Sequence, residues 1–566
     1  MSRSRRSPRQ SRRRWPCEAR PGSAGLTGER RDRAASRGRR TIRPAPQAEA
    51  GPIAIQTGAP AEPARQGLAL DDRQRRVVAG ALLTLFLAVA LFSRFGLDEE
   101  LRRDEAIYAY GGQRLVEGVP PYVSIIDPKT PLAHVLAGAA VAVGRLGAID
   151  DLVAIRLGFF VIACLAVVAV YLAGIALFGS IRAGLVAALA FLAFKGFAID
   201  ALGGPNAKTA AVLFGLLATV LLVRRRWFWG AFAASLAALV WQPYAIYGVV
   251  ALVAAWLSDG PSGRARRLGA VLAGGAIPVA AMLAYFAAAG ALAALVEYAV
   301  VLPLTGIDRG DTPFAQHVRH LVATVHAAYG ASAWLLWIGL ALLVAVAAER
   351  VWVGTRRAPL RSEPLVTIVL PPVAFFVAFS LVDFQGYPDA YPLLPYAALG
   401  VSGATAHGFA ALDLRLSRAA PVVAAGVIAA AAVATFAWYS GPRPEARALV
   451  AQRADVAAVA RLLGAGGTVH SLGDPTPLVL MGRASPSAGI FLSSGIDRWI
   501  VEHTPGGFDG WTAELAAADP DIVLIGGWGG DFNGPMRGWL GQDRELIHIG
   551  QLRAFVTPEI RARAAE

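Results

Sequence analysis

The residues best suited to chemistry lie in one polar segment that follows the first apolar stretch of the chain. Asp104 and Glu105 are adjacent there. A carboxylate pair beside a membrane surface is costly unless it is solvated, paired or used in function. The pair could serve in proton transfer, or it could form an acidic helix start that complements the helix dipole. A helix beginning near Asp104 would place Glu105 and Tyr108 on one face.

Lysine is rare in this chain and therefore informative. Lysines occur only at positions 129, 195 and 208, among 54 basic residues. Lys129 lies in the same polar segment as Asp104, two residues after Asp127. A compact ammonium group suits a phosphate, although Lys129 could instead pair with Asp127 or anchor at lipid headgroups. Both interpretations are open from the residues alone.

The elements that must position these residues are strongly apolar. The 566 residues are 55% hydrophobic and 17% charged, with a mean hydropathy of +0.49, whereas soluble domains carry about 25% charged residues. Apolar blocks of about 20 residues match the roughly 30 Å hydrocarbon core of a bilayer. We predict a polytopic α-helical membrane protein with about eleven transmembrane helices. The predicted spans are 77–95, 153–177, 181–199, 208–223, 227–241, 244–257, 268–290, 331–348, 365–382, 391–410 and 419–439.

Basic clusters set the predicted orientation, because Lys and Arg stay on the cytoplasmic side. Eleven spans bring all five clusters to one side; they are Arg73–Arg76, Arg224–Arg226, Arg264–Arg267, Arg350–Arg361 and Arg415–Arg418. A further span at 132–148 would place the first basic cluster on the opposite side of the membrane from the other four. We therefore predict an interfacial or re-entrant segment there. The N-terminus is then cytoplasmic, and the loop 96–152 lies outside.

Three domains are expected along the chain. Residues 1–75 form an Arg/Pro-rich cytoplasmic tail, which is too polar to fold on its own. The alternative to a disordered extension is that the tail binds anionic lipid or nucleic acid. Residues 76–440 form the transmembrane domain, and 441–566 a small extracytoplasmic α/β domain. In this last domain we predict a helix at 443–463 and strands at 467–473, 521–527, 545–550 and 552–558.

The segment 103–132 resembles a known superfamily. It reads Asp-Glu-x-x-Tyr from Asp104 to Tyr108, and then Asp-Pro-Lys-x-Pro-Leu from Asp127 to Leu132. This pattern after the first span is similar to the GT-C membrane glycosyltransferases, and most similar to the protein O-mannosyltransferase and lipid A aminoarabinose transferase branch. In layout the resemblance covers roughly residues 70–440, but its motifs are confined to 103–132.

The resemblance implies roles for individual residues. By motif match Asp104 is the catalytic base, and Glu105 positions it or binds donor or acceptor. Lys129 binds the donor phosphate with Arg103 as a partner. Asp127 matches a second acidic site, although some family members place that acid one residue closer to the lysine. Further substrate-binding candidates are Tyr108 in the first loop and Tyr387 and Tyr391 in the loop before a late helix.

The resemblance also implies the reaction. Such enzymes move a sugar with inversion from a polyprenyl-phosphate donor to an acceptor, here on the outer face of a bacterial-type inner or plasma membrane. We expect no cofactor and no nucleic-acid partner. We also expect no metal, because His317 and His320 share a helix face but lack a clear third ligand. The sequence leaves open which sugar is moved and whether the acceptor is glycan, lipid or protein. The alternatives are an O-antigen ligase or polymerase-like enzyme, a lipid-linked substrate transporter or flippase, and a non-catalytic scaffold.

Overall fold

The computed structural model describes residues 71–258, 262–307, 313–354, 363–415, 419–440, 448–493 and 495–565. The predicted tail up to residue 70 lies outside the described residues, as do the basic loop 355–362 and most of the last basic cluster at 416–418. From residue 71 onward the described chain forms one compact unit.

The apolar segments are helical, and every predicted span overlaps helix in the described residues. This confirms the predicted helical class. The first twelve helices are α1 (Asp72–Phe92), α2 (Arg103–Val116), α3 (Leu132–Leu146), α4 (Asp151–Phe178), α5 (Ile181–Leu192), α6 (Lys195–Gly203), α7 (Ala207–Val223), α8 (Trp227–Val240), α9 (Ile246–Leu257), α10 (Arg264–Ala288), α11 (Leu292–Val296) and α12 (Leu302–Thr305). The next five are α13 (Phe314–Tyr329), α14 (Ser332–Gly354), α15 (Leu370–Ser380), α16 (Leu394–Arg415) and α17 (Ala420–Tyr439). Short 3-10 or π-helical pieces are Gln242–Ala245, Glu297–Val301, Leu365–Val369 and Tyr387–Ala390.

Helix α1 begins earlier than the apolar pattern predicts. The Asp71 carboxylate accepts a hydrogen bond from the backbone N–H of Gln74 at 2.6 Å, and the Gln74 side chain accepts one from the Asp71 N–H at 3.0 Å. This reciprocal capping box satisfies two backbone donors at the helix start. Residues 72–75, which we predicted to belong to the disordered tail, are therefore helical.

Length and composition distinguish two groups of apolar helices. Among the described residues, five helices are long and apolar enough to cross a membrane, namely α1, α4, α10, α14 and most of α17. The bent pair α5 and α6 would make a sixth span. The other predicted spans are shorter helices of 10–17 residues, with the exception of α16. The total of eleven spans stays a prediction.

The span predicted at 181–199 is broken in the structure. Helix α5 ends at Leu192, α6 begins at Lys195, and the two axes differ by 73°. Phe194 has a ψ of 80°, which lies outside the helical region. A hydropathy average over the whole segment cannot detect such a break. The bend carries Asp200 on α6 to the end of the bundle where the first loop lies.

The first loop folds as a helical hairpin made of α2 and α3. The predicted helix start near Asp104 is confirmed, because α2 begins at Arg103. Small residues allow the two helices to approach closely: a Cβ atom at Gly112 would lie 2.7 Å from that of Ala137, and one at Gly138 would lie 2.8 Å from Leu115. Helix α3 also packs on α4. Whether α3, the segment 132–148 of the prediction, lies at the membrane interface stays a prediction.

The C-terminal segment contains the four predicted strands. They are β1 (Val469–Leu472), β2 (Ile522–Ile525), β3 (Glu545–Ile549) and β4 (Leu552–Val556), and the sheet order is β1-β2-β4-β3. Strands β1 and β2 are parallel, while β4 is antiparallel to both of its neighbours. The surrounding helices are α18 (Leu449–Leu463), α19 (Thr476–Met481), α20 (Ile496–His503), α21 (Gly507–Ala518), α22 (Asn533–Asp543) and α23 (Pro558–Ala565).

The C-terminal segment is hydrogen-bonded to the first loop. The Gln452 amide on α18 accepts from the Leu101 N–H at 2.9 Å and donates to the Leu101 carbonyl at 3.0 Å. The Tyr110 hydroxyl accepts from the Ser485 N–H at 2.8 Å, and the Ile126 N–H donates to the Ala488 carbonyl at 3.1 Å. Helix α18 and the loop between α19 and α20 therefore pack against the first loop, which carries the candidate chemistry. Its status as a separate, extracytoplasmic domain stays a prediction.

Candidate active site

A cavity of about 690 Å³ opens beside the start of α2. We call it the Asp104 cavity. Its walls come from the first loop, the N-terminus of α7, the turn after α8, the 297–307 segment, the end of α15 with the loop that follows, and the C-terminal segment. Its charged and amide lining residues are Arg103, Asp104, Lys129, Lys208, Gln242, Asp383, Gln385 and Asp389.

Asp104 presents its carboxylate to this cavity. Its side chain is 77% exposed, and the nearest cation is the Arg103 guanidinium, whose Nε lies 3.7 Å away. The residue stands in the first turn of α2, where the helix dipole stabilises negative charge. A solvated carboxylate in a cleft is available to accept a proton, whereas a buried, fully bonded carboxylate is not. Asp104 is thus accessible from the cavity, as its predicted role requires.

Lys129 reaches the same cavity from the other end of the first loop. Its backbone is fixed, because its carbonyl accepts from the Tyr122 hydroxyl at 2.6 Å and its N–H donates to Asp127 at 3.2 Å. Its ammonium lies 5.5 Å from the centre of the Tyr108 ring. Burial lowers the pKa of Lys129, but Tyr108 and the Asp127 and Asp104 carboxylates outweigh it, so the net pKa is raised. Lys129 therefore stays a cation at neutral pH.

Lys208 adds a second ammonium group that the sequence did not single out. In the structure its ammonium pairs with the buried carboxylate of Asp389, and it lies 5.0 Å from the centre of the Trp241 ring. The rarity of lysine was the one signal that could have found it. Two lysines and one exposed carboxylate thus share the cavity.

Arg103 lies at the junction of the cavity and the C-terminal segment. Its guanidinium donates to the Gly527 carbonyl and lies 5.2 Å from the centre of the Phe491 ring. The side chain is one-third exposed and lines the cavity next to Asp104. The predicted site residues Arg103, Asp104 and Lys129 are therefore brought together.

Asp127 and Tyr108 lie behind the cavity rather than in its lining. Asp127 has no exposed surface, and one of its oxygens is 3.0 Å from Nε2 of the equally buried His134 on α3. The other oxygen accepts from the Lys129 N–H. Tyr108 is 4% exposed, and its ring packs against His134. The expected contact of Asp127 with substrate has no support in this geometry, which instead makes Asp127 the residue that orients the Lys129 loop.

Tyr387 and Tyr391 also lie away from the cavity, in a buried cluster around Asp200. The Asp200 carboxylate accepts from the Tyr387 hydroxyl at 2.8 Å and from the Tyr391 hydroxyl at 2.6 Å, and it pairs with the guanidinium of Arg102. The same guanidinium is 2.6 Å from Glu105. Tyr391 has no exposed surface, so its expected contact with substrate is likewise unsupported. Through these contacts Arg102 and Glu105, on either side of Asp104 in the sequence, are linked to Asp200 on the bent helix α6.

Removing the Asp200 carboxylate should destabilise the protein. In Asp200→Ala two tyrosine hydroxyls lose a buried acceptor and the Arg102 guanidinium loses one of its two carboxylate partners, a change that costs about 3 kcal/mol. Unfolding in SDS titrations measures this loss. Asp531→Ala is the control, because Asp531 forms an exposed ion pair with Arg498 and such pairs contribute less than about 1 kcal/mol. Equal stabilities of the two variants would contradict the structural role of the cluster.

Glu105 predicts a specific pH dependence of stability. Burial raises the pKa of Glu105 to about 7; nearby Asp200 adds to the rise, while Arg102 and Arg156 oppose it. The folded state therefore holds this proton more tightly than the unfolded chain, whose glutamate pKa is about 4.3. Its stabilising contribution is full below pH 4 and falls as the pH rises through 7. Melting temperatures at pH 5 and pH 8 should differ less in Glu105→Gln than in the wild type; an unchanged difference would contradict this assignment.

Metal ligation was considered at His317 and His320. His317 Nε2 donates instead to the Ser380 carbonyl at 3.1 Å. Across the described part of the chain, no group of three or more His, Cys, Asp or Glu side chains is arranged to hold a metal ion. The remaining residues of that loop, 308–312, lie outside the described residues.

Comparisons with known proteins identify the fold. Two crystal structures of ArnT from Cupriavidus metallidurans, one in the apo state and one bound to undecaprenyl phosphate, match 85% of this chain at 16% identity. They are themselves covered to 96% and 97%, with TM-scores of 0.53 and 0.51. An oligosaccharyltransferase from Archaeoglobus fulgidus matches 79% of this chain and 68% of its own, at 14% identity. Its TM-score of 0.43 is too low to support an inference. No protein-family model and no curated protein matches the sequence. The likeness shows that this chain has the fold of ArnT, which is a GT-C aminoarabinose transferase. This agrees with the resemblance of the segment 103–132.

Proposed function

We propose that this chain is an inverting glycosyltransferase that takes its sugar from a polyprenyl-phosphate donor. The observation that carries the proposal is that the exposed carboxylate of Asp104 lines the same cavity as Lys129 and Lys208. A sugar phosphate needs this combination: a base for the incoming hydroxyl and cations for the departing phosphate. The ArnT structure bound to undecaprenyl phosphate supports the proposal, because this lipid phosphate is the leaving group of such a donor and it binds to a protein of the same fold.

Asp104 acts as the general base in the proposed reaction. The acceptor hydroxyl oxygen attacks the anomeric carbon from the face opposite the phosphate, and its proton passes to Asp104. A new carbon–oxygen bond forms while the bond from the anomeric carbon to the phosphate oxygen breaks, and its electron pair leaves with the polyprenyl phosphate. Attack from the opposite face inverts the configuration. The negative charge of Asp104 also stabilises the oxocarbenium character of the transition state.

The two lysines receive the leaving phosphate. Lys129 is held in place through its backbone by Tyr122 and Asp127, so its ammonium needs little reorganisation during the reaction. Lys208 is already paired with Asp389, so it shares its charge between that carboxylate and the phosphate. Charge-assisted contacts to a phosphate are among the strongest hydrogen bonds available. We assign Arg103 to the boundary between phosphate and acceptor, because it stands beside Asp104.

The polyprenyl chain has an apolar wall to follow. On one side the cavity is lined by Val300, Pro303, Leu304 and Phe379. Leu304 is 71% exposed and Val300 49% exposed. Exposed apolar side chains that continue a cavity suit a lipid tail in a bilayer. We therefore place the sugar phosphate at the lysines and the tail along this wall.

We place this reaction on the outer face of the membrane. The support is the distribution of basic residues, which clusters on the loops opposite to 96–152 when eleven spans are counted. A polyprenyl-linked donor in the outer leaflet then reaches the cavity by lateral diffusion.

Donor cleavage tests the proposal. The purified full-length protein in lipid nanodiscs is given a panel of undecaprenyl-phosphate-linked pentoses and hexoses together with glycan, lipid and peptide acceptors. Release of undecaprenyl phosphate is measured. We expect release from at least one donor, and an inverted anomeric configuration in the glycoside product by NMR. Retention of configuration would contradict direct displacement. Movement of an intact donor across liposomes without cleavage would establish a transporter instead.

A further inference from the structure

A second cavity of about 330 Å³ lies between the first loop and the C-terminal sheet. We call it the sheet-edge cavity. Parallel strands β1 and β2 end at it, and the residues that follow them, Asp474 and Gly526–Gly527, form part of its lining. In α/β sheets ligands bind outside the carboxyl ends of parallel strands. Arg553 on the neighbouring strand β4 and Asp455 on α18 line it as well.

The lining of the sheet-edge cavity balances its charges. Three arginines, three carboxylates and two glutamines are among its 16 lining residues. An anionic ligand would meet the carboxylates, and an apolar ligand would displace water from the charged and amide groups without replacing its hydrogen bonds. A neutral ligand with many hydroxyl groups can donate to the carboxylates and accept from the arginines and amides. The chemistry of the lining therefore favours a sugar.

The two cavities meet at Arg103. Its side chain lines both of them, and the next residue along the chain is Asp104. Asp474, which lines the sheet-edge cavity, has a pKa that burial raises. The positive charge of Arg103 lowers this pKa, and the negative charge of Asp104 raises it. Asp474 is thus close enough to feel the charge of the proposed base. A ligand in the sheet-edge cavity lies beside the place where the acceptor hydroxyl must be.

We propose that the sheet-edge cavity is the acceptor subsite and that it binds a neutral, hydroxyl-rich sugar unit. One hydroxyl of this sugar points past Arg103 to Asp104, and the remaining hydroxyls contact Asp455, Asp474 and Arg553. This inference rests on the proposed function and adds the acceptor class and its location. It also gives the C-terminal segment a role, since that segment supplies 12 of the 16 residues that line the cavity.

Acceptor competition tests this assignment with the full-length protein in nanodiscs. The donor is the undecaprenyl-phosphate sugar that the enzyme cleaves, and the acceptor probes are neutral methyl glycosides, sugar phosphates and a serine/threonine peptide. Arg553→Gln and Asp455→Asn remove one contact each, and we expect each to raise KM for the methyl glycoside at least tenfold, since a site built for hydroxyl groups depends on each polar partner. Arg561→Gln is the control, because Arg561 on α23 pairs with Glu545 away from this cavity.

The outcomes separate the two proposals. Undecaprenyl phosphate binding measured in the same preparations should change less than twofold in Arg553→Gln, because that side chain lies outside the Asp104 cavity. If the enzyme cleaves donor but prefers the sugar phosphate or the peptide, or if Arg553→Gln leaves the glycoside KM unchanged, the acceptor assignment is wrong and the glycosyltransferase stands. If no donor is cleaved by the wild type, the proposed function itself fails.

Discussion

Asp104→Asn is expected to lower the rate of sugar transfer by about 10²- to 10⁴-fold, the usual contribution of a general base. The amide keeps the size of the side chain but cannot accept the acceptor proton at neutral pH. Asp104 is exposed and pairs with the neighbouring Arg103, so the variant should fold and should still bind undecaprenyl phosphate. Transfer rates with saturating donor and acceptor measure the effect.

Asp98→Asn is the matched control for this loss. Asp98 is an exposed aspartate of the same loop that does not line the Asp104 cavity, so its amide variant should keep the wild-type rate. A rate within tenfold of wild type in Asp104→Asn would remove Asp104 from the proposed mechanism. A parallel loss in Asp98→Asn would point to a general effect of charge in the loop.

Lys129→Met is expected to weaken undecaprenyl phosphate binding and to slow transfer by about 10²-fold or more, comparable with removing one preorganised donor from a site of developing negative charge. Methionine retains much of the length and apolar stem that pack over Tyr108, so the loss reports the missing ammonium. Native mass spectrometry measures lipid binding, and the transfer assay measures the rate.

Lys195→Met controls for the removal of a lysine. Lys195 starts α6 and lies 5.9 Å from the centre of the Phe95 ring, outside the lining of the Asp104 cavity. It should bind undecaprenyl phosphate as the wild type does. Because Lys208 stays in place, we expect Lys129→Met to retain some binding and the double variant with Lys208→Met to lose more. Equal binding by Lys129→Met and Lys195→Met would contradict the phosphate assignment.

The sequence predicts the helices and the reactive loop because their signals are local. Blocks of apolar residues fix the helical class without any knowledge of packing. The pattern from Asp104 to Lys129 lies within one loop, so its members come together once α2 and α3 form a hairpin. The strands of the C-terminal sheet are also local, since runs such as Ile522–Ile525 are short, apolar and bounded by turn residues.

The parts that the sequence did not predict depend on contacts between distant residues. Lys208 looks like a lysine at a span end until Asp389, far along the chain, is seen beside it. The break between α5 and α6 cannot be predicted from hydropathy. The Asp200 carboxylate on α6 is stabilised by Arg102 and Tyr391, which lie far from it in the sequence. In the sequence Asp127 looks free to bind substrate. In the structure its carboxylate is hydrogen-bonded to His134 in the first turn of α3. A single sequence contains no record of these partners.

The most direct test of the account is the accessibility of position 104. Asp104→Cys is made in a chain whose two natural cysteines, Cys17 and Cys164, are replaced by serine and alanine, and intact cells are treated with a membrane-impermeant maleimide. We predict that the new cysteine is labelled from outside, and that undecaprenyl phosphate slows its labelling in nanodiscs. Labelling only after the membrane is permeabilised, or labelling that undecaprenyl phosphate leaves unchanged, would contradict an outer-face cavity that receives a lipid-linked sugar.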